Sequence, residues 1–109
     1  MTVKNLTRKE IYRKFLKAKG RYDFWYAMNL TDFGEHVMFD EPHPYKKIID
    51  WILQGKEVIF RCAFAFNVKR GNGVIHAWKE RLFAWNPKIN DFELIEEEVF
   101  LPEHELYLY

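Results

Sequence analysis

From Val58 to Val68 every second residue is apolar: Val58, Phe60, Cys62, Phe64, Phe66 and Val68. A β-strand points successive side chains to opposite faces. These six therefore share one face, and Ile59, Arg61, Ala63, Ala65, Asn67 and Lys69 share the other. Such alternation means burial on one side, so the chain must supply a layer to cover the even-numbered face. The "RGNG" that follows marks a turn, and Asn72-Gly73 reads as a two-residue hairpin loop. In that register Cys62 faces Phe83, His76 faces Lys69 and Trp78 faces Asn67. "VIHAWKERLFAW" is the returning strand. "NPKIND" makes a second turn, and "FELIEEEVFL" a third strand that Pro102 ends.

The covering layer is found upstream. In "LTRKEIYRKFLKAKG", Thr7 and Glu10 form a capping-box pattern, and Leu6 and Ile11 stand where a hydrophobic staple needs them. Ile11 and Phe15 share one face, with Tyr12 and Leu16 beside them. Gly20 offers a left-handed stop. The spacing predicts a helix over residues 8–19. "YKKIIDWILQGK" predicts a second, with Tyr45, Ile48, Ile49 and Ile52 at helical spacing and Gly55 as the stop. Trp51 falls off that stripe, which places it at a margin or on the surface. Between the helices, residues 22–30 and 37–39 read as strands joined by a turn at "TDFGE". The expected fold is α+β: one domain over residues 1–109, with an antiparallel sheet of three to five strands packed against two helices.

The net charge of +1 hides an asymmetry. Residues 1–21 hold Lys4, Arg8, Lys9, Arg13, Lys14, Lys17, Lys19 and Arg21 against Glu10 alone. Residues 91–109 hold Asp91, Glu93, Glu96, Glu97, Glu98, Glu103 and Glu105 with no Lys or Arg. The ends therefore differ in sign, which matters more for partners than the overall pI. Aromatics make up 18% of the chain, more than one small core needs, and a surplus on a surface favours binding. A single cysteine, and no signal-peptide pattern at Met1–Lys4, point to a reducing cytoplasm; no apolar run is long enough to span a membrane.

"YKKIIDWILQGKEVIFR" resembles the helix, Gly-Lys and first strand of small phage-encoded proteins, including the anti-Thoeris family that sequesters signalling nucleotides. The matching residues are Gly55, Lys56, Arg61 and Phe64. The sequence departs from that family in two ways: forty-four residues precede this helix, and Arg61 stands one position late, which turns it to the other face of the strand. The resemblance implies an accessory protein of a phage or mobile element and carries no ligand site with it. "AFAFNV" also resembles part of the RNP1 strand of RNA-recognition motifs, but the leading basic residue and glycine are missing.

Catalytic constellations are sparse. Cys62 lies on the apolar face, where a thiol is usually inert. Glu97 alternates away from Glu96 and Glu98, so these do not form a catalytic pair. Glu35, His36, Asp40, Glu41 and His43 cluster without a fixed metal-ligand spacing. The sequence therefore points to a non-enzymatic protein with no cofactor and no metal. The expected function is steric binding to a partner protein, as a phage-encoded accessory or inhibitor protein would act. Its binding residues are Trp78, flanked on one strand face by Arg61 and Lys69, together with Trp51. Two alternatives stand beside it. Arg13 and Lys17, with Lys9 and with Arg8, Lys14 and Arg21, would let the first helix grip nucleic-acid phosphates. A nucleotide-sequestering sponge would hold its ligand between protomers. A homodimer, with the basic helix of one copy on the acidic end of another, fits all three.

Overall fold

The computed structural model describes residues 6–32 and 34–100. Pro102, Glu103 and Glu105 lie outside the described residues, as does Phe33 in the first turn. Two helices, α1 (Arg8–Lys19) and α2 (Pro44–Leu53), pack on one side of a five-stranded antiparallel sheet. The strands are β1 (Phe24–Asn29), β2 (Glu35–Met38), β3 (Val58–Arg70), β4 (Gly73–Asn86) and β5 (Asp91–Phe100), in the order β2-β1-β3-β4-β5. The α+β architecture expected from the periodicities is the one observed.

Each helix begins as its sequence dictates. The Thr7 hydroxyl accepts from the Glu10 N–H at 3.1 Å, and the Glu10 carboxylate accepts from the Thr7 N–H at 2.9 Å. This reciprocal pair satisfies two donors that a helix start leaves orphaned. Gly20 closes α1 with φ +59° and ψ −132°, its N–H donating to the Leu16 carbonyl at 2.8 Å. In α2, Pro44 takes the first turn, where its missing N–H costs nothing. Trp51 is only 3% exposed, a correction to its expected place at the margin. It lies three residues after Ile48, so it shares the buried side and widens the stripe of Ile48, Ile49 and Ile52.

The β1–β2 hairpin is organised by Asn29, which is fully buried. Its Oδ1 accepts from the Thr31 and Asp32 N–H groups, and its Nδ2 donates to the Asp32 and Glu35 carboxylates, at 2.9–3.1 Å. All the hydrogen-bonding capacity of the buried amide is thereby used. The Thr31 hydroxyl also accepts from the Glu57 N–H at 2.8 Å, which ties this loop to the start of β3.

The β3–β4 turn differs from the expected one. Its two loop residues are Gly71 and Asn72, with Arg70 opposite Gly73. Gly71 has φ +55°, so the glycine supplies the positive dihedral at the first loop position. The register therefore moves by two from that of an Asn72-Gly73 loop. Cys62 faces Arg81, Asn67 faces His76 and Ala65 faces Trp78. A shift of two leaves every side chain on its own face, so the expected split between buried and open faces survives.

Phe60, fully buried on the even-numbered face, is the centre of the core. Its ring meets Phe15 of α1 at 4.5 Å, Phe83 of β4 at 4.9 Å and Phe92 of β5 at 5.0 Å between centroids. The helices are short beside the strands. Twelve residues of α1 span about 18 Å, whereas thirteen residues of β3 span about 43 Å. The far end of the β3–β4 hairpin thus extends past the helical layer, and among the described residues no element covers the odd-numbered face. Replacing Phe60 with alanine is expected to cost about 3–5 kcal/mol, since four elements lose contacts at one cavity. Urea unfolding of Phe60→Ala checks this; a loss below about 1 kcal/mol would show that the ring cluster does not organise the core.

Candidate functional site

The face of the sheet away from the helices gathers apolar side chains from all five strands. Phe24 and Tyr26 come from β1, Met38 from β2, Ala63 and Ala65 from β3, Trp78 and Leu82 from β4, and Phe100 from β5. Phe24 is 56% exposed and Trp78 38%. Monomeric domains rarely leave a contiguous apolar surface of this kind open unless it meets something.

Glu80 holds the centre of this face together. Its Oε1 accepts from Arg61 Nη1 at 3.3 Å, and its Oε2 accepts from Trp78 Nε1 at 3.2 Å. One carboxylate thus joins Arg61 and Trp78, two of the binding residues expected from the sequence. Glu96 lies 4.0 Å from the same guanidinium nitrogen. The Trp78 ring is stacked on Phe100, 5.2 Å apart and 19° from parallel. Trp78 is therefore exposed yet fixed at both its N–H and its ring face. A fixed anchor loses little side-chain entropy when a partner arrives. Beside it, Phe24, Tyr26, Met38, Arg61, Ala63 and Glu80 line a shallow recess of about 160 Å³.

The face is electronegative. Glu80, Glu93, Glu96 and Glu98 all stand on it, against Arg61 in the centre and Lys69 near the hairpin turn. This assignment depends on a β-bulge in β5. Phe83 pairs with Leu94 but Leu82 pairs with Glu96, leaving Ile95 as the extra residue. The bulge reverses the parity of the strand. Phe92 lies on the helix side with Phe60, whereas Glu96, Glu98 and Phe100 lie on the open face. Glu97 turns to the helix side, where Arg81 Nε donates to it at 2.5 Å and Lys79 lies at 3.6 Å.

The remaining sequence-predicted residues are dispersed. Lys69 is eight residues from Arg61, about 27 Å along the strand. Arg13 and Lys17 are exposed on α1, behind the opposite face of the sheet. Trp51 is in the core and presents no surface. Of the six basic groups in the first-helix set, Arg8 pairs with Asp50 at 2.7 Å and Lys14 with Asp91 at 4.0 Å, while Arg21 lies over the Phe64 ring. The exposed row that remains is Lys9, Arg13 and Lys17. Glu80, Phe24 and Tyr26 were missed by sequence reasoning. Glu80 carries a signal only once the hairpin register is known.

Cys62 is buried, and desolvation pushes its thiol up to about 11. A nucleophile needs the opposite shift. Among the described residues no three His, Cys, Asp or Glu side chains converge as a metal site requires. Glu35 and Glu41 are engaged by Asn29 Nδ2 and the Met38 N–H, so two members of the acidic and histidine stretch hold the first hairpin in shape. No helix among the described residues is long and apolar enough to cross a membrane.

Comparison of the chain with protein-family models, with curated proteins and with solved structures gives no match.

Several carboxyls are held below their ordinary range by named partners. The Thr7 backbone N–H lowers Glu10, Lys56 lowers Asp32, Lys46 lowers Asp50 and Arg81 lowers Glu97. A group lowered on folding adds stability above its unfolded pKa and loses it as pH falls through the folded value. The melting temperature is therefore expected to fall between about pH 5 and about pH 3. Glu97→Gln should lose less on acidification than the wild type, because its ion pair is already absent. Thermal melts at the two pH values check this; equal losses in both proteins would remove Glu97 from the account.

Proposed function

We propose that the protein is a non-enzymatic binding module that occupies a partner protein through the open face of its sheet. In kind it would be a small accessory or inhibitor protein, as phages and mobile elements encode. The single observation that carries the reading is the fixed Trp78–Glu80–Arg61 unit, set among exposed rings on a face that no other element covers among the described residues. Tryptophan and arginine at the centre of an apolar patch are the composition of an interface hot spot. The chemistry of the partner follows from the charge. Glu93 and Glu98 add to a face where Arg61 is already neutralised by Glu80 and Glu96, so the matching surface is apolar with a basic rim. The same carboxylates weigh against stacked nucleic-acid bases on this face, since phosphates would approach four glutamates.

Capture from host lysate with wild type and with Trp78→Ala or Arg61→Ala tests this reading. The wild type should retain a discrete protein that each variant binds about thirtyfold or more weakly, equivalent to about 2 kcal/mol, with the melting temperature little changed. Undiminished binding by both variants would show that the face is wrong.

A second reading rests on a different observation. Lys9, Arg13 and Lys17 form an exposed row at i, i+4, i+8 on α1, a spacing that presents three cations along one line. If that row grips phosphate, duplex or single-strand affinity should fall steeply with added salt and vanish on reversal of the three charges. Fluorescence anisotropy over a salt series decides it; binding that is indifferent to salt, or to charge reversal, removes the reading.

A further inference from the structure

On the helix side of the sheet, past the C-terminal end of α1, lies a groove of about 510 Å³. Arg21, Tyr22, Phe64, Phe66, Lys79 and Arg81 line it. The Arg21 guanidinium lies over the Phe64 ring at 4.8 Å, and that of Arg81 over the Tyr22 ring at 5.0 Å. Two of the three cations are thus held against aromatic rings. Phe64 and Phe66 follow each other on one face of β3, their rings 13° from parallel, and both stay partly exposed.

The groove is continuous with the exposed row on α1. Arg81 also lines a recess of about 320 Å³ between α1 and β5, and Lys14 and Lys17 stand on the wall of that recess. Lys17 is in turn the last member of the row Lys9, Arg13 and Lys17. Shared residues therefore join row, recess and groove into one tract. The row by itself runs about 12 Å along the helix. Among the described residues two acids pair with cations of the tract: Asp91 with Lys14, and Glu97 with Lys79 and Arg81. The glutamates of the open face stand on the other side of the sheet. The tract keeps a positive excess along its length and ends among aromatic rings.

Cations in a line suit a polymer with a charge on every unit. Rings and ring-bound guanidinium groups at the end of that line suit flat groups that can lie on them. A duplex offers the charges but keeps its bases stacked inside. We propose that the tract binds single-stranded nucleic acid, with phosphates along Lys9, Arg13, Lys17 and Arg81 and an unpaired base on Phe64 or Phe66 beside Arg21. The proposal rests on the phosphate-gripping reading of α1 and adds to it the strandedness of the ligand and the place of base contact. A protein partner on the open face would not compete for this surface.

The test is fluorescence anisotropy with a labelled single strand of about twelve nucleotides and with the matching duplex. The single strand should bind about tenfold or more tightly than the duplex. Phe66→Ala should weaken single-strand binding about tenfold and leave the duplex unchanged. Arg21→Ala changes an exposed side chain, so it serves even if Phe66→Ala folds poorly. It should weaken single-strand binding and reduce the slope of log affinity against log salt by about 0.7. Equal affinity for the two nucleic acids, untouched by either groove variant but abolished by charge reversal of Lys9, Arg13 and Lys17, overturns this inference and leaves the phosphate reading standing. No binding of either nucleic acid at low salt overturns both. A labelled peptide of glutamate and tyrosine held as tightly as the single strand also overturns the inference, because the groove would then select acidic charge and rings rather than nucleotides.

Discussion

The contact of Phe60 with three other phenylalanines is what the rest of the fold depends on. Phe15, Phe83 and Phe92 reach it from α1, β4 and β5, so one ring couples a helix to three strands. The geometry is local to one end of the sheet. Val58, Phe60 and Cys62 are buried beneath the helices, whereas Phe64, Phe66 and Val68 further along the same face are only partly covered. A core built from aromatics fills its volume with few residues. It therefore needs only two short helices, and two short helices cannot cover strands of thirteen and fourteen residues.

The uncovered regions differ in charge, and that difference organises the functional reading. The open face is apolar with an excess of glutamate, while a groove past the C-terminal end of α1, lined by Arg21, Tyr22, Phe64, Phe66, Lys79 and Arg81, is aromatic with an excess of arginine and lysine. Strand alternation produces this segregation. Arg81 and Lys79 point to the helix side, and Glu80 between them points to the open face. Neutralisation is local in each place: Glu80 and Glu96 answer Arg61, and Glu97 answers Arg81. Among the described residues, the acidic end of the sequence is thus answered by Arg61 of β3 and by Lys79 and Arg81 of β4. Among the described residues, Lys14 of α1 pairs with Asp91 of β5.

Much of the fold was legible because the signals are short-range. The capping box of Thr7 and Glu10, the stripe of Ile11 and Phe15, and the alternation of β3 each require only neighbours within a few positions. Trp51 was misplaced because a stripe drawn through Tyr45, Ile48, Ile49 and Ile52 ignores its i, i+3 relation to Ile48. The hairpin register was misread because "RGNG" holds two overlapping pairs of residues able to form a tight turn. The candidate site was legible in part: Arg61 and Trp78 were placed on one face. That Glu80 joins them could not be read without the register.

The sequence alone determined the secondary structure, the apolar face of β3 and the separation of charge along the chain. These depend on local periodicity and composition. Only the tertiary structure decided which glutamates stand with Trp78. A single extra residue, Ile95, reverses the parity of β5, so that Phe92 enters the core while Phe100 stacks on Trp78 from the other face. Strict alternation would have placed both on one side. A bulge is fixed by pairing with a neighbouring strand, and that pairing is absent from any local window of the sequence.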